Sequence, residues 1–145
     1  AANVWPLLAS GNPNANDIYS LNQTGTHPVY TDLAIANAID FYLKIGRDRK
    51  EERLRYLQTY WTSQVRNLSH IQVNTPEDTK RHAGIGNVGV KGMKPQELAD
   101  TLFKKDKIYT VAIDGAGVHG CRITPNVHTT TKELDAFVAA LKDLG

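Results

Sequence analysis

Arg122 sits in the stretch Gly-Cys-Arg-Ile-Thr-Pro, residues 120–125, which otherwise has the character of an apolar strand. With Ile123 beside it and Val111, Ala112 and Ile113 just upstream, the surroundings point to a buried sheet. A guanidinium there needs an anionic partner or a path to water. Two chemistries satisfy that need. One is a structural ion pair. The other is bidentate capture of a carboxylate, which the planar fork of arginine fits. Gly25 and Thr26 form a second conspicuous pair, placed just before Pro28 and a clean helical pattern. Either the Thr26 hydroxyl caps a helix starting near Tyr30 or Thr31, or it binds a phosphate together with the Gly25 amide.

Other chemical signals are weaker. Gly-Ile-Gly-Asn-Val-Gly, residues 84–89, matches the glycine spacing of a dinucleotide loop. That loop works only between a strand and a helix N-terminus, where backbone amides meet a pyrophosphate. Here the preceding residues are loop-like and no helix opens before Pro95. The glycines therefore read as marks of close strand approach or a bulge. His119, Cys121 and His128 fit no zinc-ligand spacing, so no metal site is expected. Cys121 adjoins Arg122, but strand alternation directs the two side chains to opposite faces.

The elements that must position these residues follow from periodicity. Ile35, Ala38, Ile39, Tyr42 and Ile45 recur at three-to-four spacing and predict a helix over 31–45 that Gly46 ends. Leu54, Leu57, Trp61, Val65 and Leu68 predict a second helix over about 48–68. Its interleaved charges, Arg47 to Arg55 with Glu51 and Glu52, read as a solvated face. From Ser69 the period changes. Short strands are predicted at 70–74, at 83–92, at 107–113 and at 120–125. Pro95 opens a helix to about Lys105 with Leu98, Leu102 and Phe103 inward. Thr130 and Glu133 form a capping box for a last helix with Leu134, Phe137, Val138 and Leu141 buried. The order predicts an α+β fold, a small mixed or antiparallel sheet covered by helices. Residues 1–30 read as irregular, 31–46 as a connecting helix and 47–145 as one domain.

The totals agree with a globular chain. It has 145 residues, 41% hydrophobic and 22% charged, a balance that argues against disorder. Seventeen basic and fifteen acidic residues leave a net charge of +2. That excess is too small to imply a nucleic-acid or membrane partner. One cysteine permits no internal disulfide, and no run approaches the roughly 18 apolar residues of a membrane span. A cytoplasmic location is expected.

Three blocks together resemble a known family: the run from Gly25 to Gly46 with Arg49–Trp61, the run Gly89–Thr110, and the run Gly120–Leu141. The pattern Arg-Ile-Thr-Pro-Asn-Val-His-Thr-Thr-x-x-Glu-Leu-Asp at 122–135 is its most specific part. They resemble the C-terminal part of class V aminotransferases, enzymes of fold type I that depend on pyridoxal 5′-phosphate (PLP). Within the class the resemblance is to the isopenicillin-N-epimerase-like group, with cysteine desulfurases as more distant cousins. It implies that Arg122 binds the substrate α-carboxylate and that Thr26, with Gly25, binds the cofactor phosphate of a partner subunit. His27 receives no role. It also implies that the Schiff-base lysine lies upstream, so that the chain is a small-domain fragment of a homodimeric enzyme. The implied partners are its own large domain, the second subunit and an amino-acid substrate undergoing transamination or epimerisation. The fragment alone would be inactive. The apolar segment Val4–Leu8, with no partner nearby in sequence, fits that reading. A second reading is a free-standing α+β module that uses Arg122 to bind a small anion.

Overall fold

The computed structural model describes residues 29–145. The chain divides into two compact units, residues 1–44 and 45–145. The described part of the first is helix α1, Val29–Ile45, up to Lys44. Asp32 in its first turn and Lys44 in its last complement the helix dipole. None of its residues is buried, although Leu33, Ile35, Ile39, Phe41 and Leu43 are all more than half exposed apolar side chains.

The second unit carries α2 (Arg47–Val65), β1 (Ile71–Val73), β2 (Gly86–Val90), α3 (Pro95–Asp106), β3 (Val111–Gly115), β4 (Val118–Ile123) and α4 (Thr131–Lys142). Its strands form one sheet in the order β1-β2-β4-β3, with every pairing antiparallel. The fold is α+β. Each predicted strand appears, but β3 begins at Val111 rather than at Lys107, because residues 107–110 instead close the end of α3. Lys107 takes a left-handed conformation there, φ 59°, and its amide bonds back to α3 carbonyls. The second helix stops at Val65, three residues short of the expected end.

Register decides which strand residues meet the core. Ile71 lies opposite Val90, Val88 opposite Cys121, and Gly86 opposite Ile123. All six therefore share one face, and all are buried. The buried sides of α2, α3 and α4 complete this core: Leu57, Trp61 and Val65, then Leu98 and Leu102, then Leu134, Phe137, Val138 and Leu141. Trp61 and Phe137 meet edge to face with centroids 5.4 Å apart. Burying such large apolar side chains is the main favourable term for a domain of this size. Phe103 departs from expectation. It is 53% exposed and packs edge to face on Tyr109. Leu98 and Leu102 already fill the inward stripe of α3, and Phe103 falls one position past it.

Local chemistry sets the ends of these elements. The Thr130 hydroxyl accepts from the Glu133 amide, while the Glu133 carboxylate accepts from the Thr130 amide at 2.7 Å. The predicted capping box is therefore formed. The tight β3–β4 hairpin turns through Ala116 and Gly117, both with positive φ (52° and 76°). A two-residue turn of this hand matches the twist of its strands. Among the described residues no helix is long and apolar enough to cross a membrane.

Candidate functional site

The opposite face of the sheet contributes none of the core side chains of this unit. Arg122 lies there, on β4, between Asn87 of β2 and Val111 of β3. It is exposed, not buried as the apolar neighbours suggested. Alternation explains the difference: Cys121 and Ile123 point into the core and are buried, whereas Arg122 between them points out. Among the described residues no carboxylate lies within ion-pair distance of the guanidinium. The structural ion pair is thus not formed within this unit, and among the described residues no group takes up any of its five N–H donors.

A short polar chain runs beside Arg122. Gln72 Nε2 donates to Asn74 Oδ1 at 2.9 Å. Asn74 Nδ2 donates both to the His119 carbonyl at 2.9 Å and to Asn87 Oδ1 at 2.7 Å. The Asn87 amide nitrogen of the backbone donates to the Thr75 hydroxyl at 2.8 Å. Glycines make room for this arrangement. A Cβ on Gly120 would fall 2.6 Å from Asn87 Oδ1 and 2.5 Å from the Val88 carbonyl. One on Gly89 would fall 2.9 Å from the His119 carbonyl. Gly86, on the core face, has Trp61 only 2.7 Å from where its Cβ would be. From Gly86 onward the Gly-Ile-Gly-Asn-Val-Gly motif is accordingly a strand with close neighbours on both faces. It is not a phosphate loop.

The remaining sequence candidates scatter. Gly25 and Thr26 lie outside the described residues, as do His27 and the segment Val4–Leu8. His119 faces Asp114 across the hairpin and pairs with it at 2.5 Å. His128 lies in the connection to α4. Among the described residues no three potential ligands converge on a metal position. Cys121 is fully buried and donates to the Pro95 carbonyl at 3.3 Å. Burial pushes its thiol above the ordinary value, the opposite of what an activated nucleophile requires. A shallow cleft of about 670 Å³ lies along α2, lined by Asp48, Glu51, Glu52, Arg55, Tyr56, Thr59 and Thr79. Its one cation is spoken for, since Arg55 bonds Glu51 and the carbonyls of Thr79 and His82.

A model of the family described as aminotransferase class-V matches residues 11–137. The chain belongs to this family. Its fold is also that of several solved structures. A cysteine desulfurase from Thermococcus onnurineus NA1 superposes with a TM-score of 0.73 at 22% identity, over 86% of this chain and 33% of that one. The cystine C-S lyase C-DES, in complex with its product cysteine persulfide, gives 0.72 at 15% identity, over 97% and 38%. A mutant of C-DES with glycine covalently linked to the PLP cofactor gives 0.72 at 16%, over 97% and 36%. The chain thus spans only about a third of the length of these solved structures. No curated protein matches it.

Asn87, Asn74 and Gln72 were not singled out by the sequence. Alternation around Val88 and Val90 does put Asn87 and Gly89 on the outward face. What the sequence does not carry is that β2 pairs with β4, in the register that sets Asn87 against Arg122.

Proposed function

We propose that this class V chain is the C-terminal part of a PLP-dependent enzyme that acts on an amino acid, by transamination or epimerisation. In it Arg122 receives the substrate α-carboxylate. The observation that carries this reading is an exposed guanidinium on a central strand with, among the described residues, no carboxylate within ion-pair distance. A rigid sheet holds the strand, so little ordering is required when a carboxylate binds both arms of the fork. This donor set fits a carboxylated amine presented to the cofactor. PLP, when bound, supplies an electron sink for negative charge developing at the substrate Cα. The chain's own contribution is orientation: a two-point grip on the carboxylate fixes which Cα bond faces the cofactor.

Thr26 and Gly25 are the proposed phosphate contacts, made across a homodimer. Helix α1 fits the same picture. It is apolar on several sides yet has no buried residue, and helices of that character are covered in the complete protein. The parent's large domain and second subunit are the proposed cover, with a cytoplasmic location. Desulfuration through a thiolate of this chain is disfavoured, since its single cysteine, Cys121, is buried in the core.

The test is α-proton exchange. The full-length protein, supplied with PLP and a panel of L-amino acids in D2O, should exchange the α-proton of at least one of them. Oxo-acid formation then marks transamination, and loss of optical activity marks epimerisation. Exchange with none of the panel by PLP-loaded protein would reject the proposal.

A further inference from the structure

We infer that Asn87 is a second carboxylate-binding residue, placed to share one substrate oxygen with Arg122. This rests on the proposed role of Arg122 and deepens it. The two residues are directly opposed across β2 and β4 on the open face. Directly opposed residues of an antiparallel pair hold their Cβ atoms about 5 Å apart, so the two side chains rise from neighbouring points on that face.

The orientation of the Asn87 amide follows from its neighbours. Asn74 Nδ2 donates to the His119 carbonyl, which can only accept. That bond fixes Asn74 with its NH2 toward Asn87, so the Asn87 atom 2.7 Å away must be the oxygen. Gln72 Nε2, donating to Asn74 Oδ1, agrees with the same orientation. With Oδ1 engaged, Asn87 Nδ2 points away from Asn74, and among the described residues no group accepts from it. A half-buried amide is thus held with its two donors free beside a guanidinium with its donors free. The missing side chain at Gly120 is what allows it: any Cβ there would collide with Asn87 Oδ1. Cation and amide donors side by side, with no acceptor between them, are complementary to an anion with two oxygens. A single cation would be satisfied by a single chloride or phosphate oxygen; the fixed amide adds a direction. Asn87 is therefore a specificity residue, and Asn74 is a positioning residue that acts through it.

The experiment measures carboxylate binding and turnover together. In the full-length protein, the dissociation constant of propionate is measured by titration calorimetry, and KM and kcat are measured for the best amino acid. Asn87→Ala should weaken propionate and raise KM by roughly tenfold or more, as expected for a hydrogen bond to a charged group. Asn87→Asp, which sets a negative charge against the ligand, should weaken both further. Asn74→Ala frees the Asn87 amide and should give a smaller loss of the same kind, with kcat little changed. Arg122→Lys separates the two levels of the proposal. If Arg122→Lys weakens propionate and Asn87→Ala does not, Asn87 has no binding role and this inference fails alone. If neither variant alters propionate binding, the carboxylate reading of Arg122 fails with it. A fall in melting temperature for Asn87→Ala with an unchanged propionate constant would make Asn87 a structural residue and overturn the inference.

Discussion

Replacing Gly120 by alanine tests the packing that creates the open face. The new Cβ would lie 2.5 Å from the Val88 carbonyl oxygen and 2.6 Å from Asn87 Oδ1. Ordinary contact begins near 3.4 Å, so β2 and β4 must part by roughly 0.5–0.9 Å at this point. The Asn87 side chain can swing, but the Val88 carbonyl belongs to the backbone and cannot. Ladder bonds near 3 Å would stretch to or beyond about 3.5 Å, where little bonding remains. Losing one or two such bonds costs about 1 kcal/mol each, and overpacking a tight site adds about 1–3 kcal/mol. We expect a total of about 2–5 kcal/mol, and for a domain of about 100 residues a fall in Tm of roughly 10–25 °C. Urea denaturation of the 145-residue chain measures it. Gly115→Ala is the control, because a Cβ there meets nothing within 4 Å and its φ is not positive; it should change stability by less than about 0.5 kcal/mol. If Gly120→Ala costs no more than Gly115→Ala, the close approach of β2 and β4 is not as described.

Further expectations concern the same domain. Thr130→Ala removes the hydroxyl half of the α4 capping box and should cost about 1 kcal/mol in a urea titration. Glu133 is held below the ordinary carboxylate value of 4.5, first by the backbone hydrogen bond from Thr130 and then by its hydroxyl. A depressed folded pKa gives stability that is full above the unfolded value and is lost as pH falls through the folded value. Glu133→Gln should therefore flatten the acid limb of stability below about pH 4.5, whereas an unchanged limb would show that the pairing is not formed. Ala116 holds a turn position with φ 52° that glycine adopts without penalty, so Ala116→Gly should be neutral or stabilise by up to about 1 kcal/mol. Cys121 should resist a thiol reagent in the folded protein and react on unfolding; fast native labelling would contradict its burial.

Much of this domain was legible in its residues because the signals are local. The capping box of Thr130 and Glu133, Pro95 at a helix start, and the stripes of Leu57–Trp61–Val65 and Leu134–Phe137–Val138–Leu141 depend on neighbours within a turn or two. The harder readings depended on pairings distant in sequence. Arg122 among apolar residues looked buried, yet strand alternation exposes it once Cys121 is assigned to the core. Phe103 looked inward because aromatic residues commonly are, but Leu98 and Leu102 had already taken that face. The glycines at 84–89 matched a nucleotide motif in letters. Only the pairing of β2 with β4 shows that Gly89 is there because the His119 carbonyl lies against it. The role of Asn87 was invisible for the same reason, since nothing in its own segment announces that Arg122 stands across from it.

Arg122→Lys in the full-length protein tests the central claim most directly. Lysine keeps the charge and loses the two-point fork. If Arg122 grips the substrate carboxylate, kcat/KM should fall by roughly two to four powers of ten, or about 3–5 kcal/mol of transition-state stabilisation, while bound PLP stays near its normal content. Unchanged kcat/KM with a lowered melting temperature would contradict the account and make Arg122 a structural residue. Loss of the cofactor instead would show that Arg122, and not Thr26, anchors PLP.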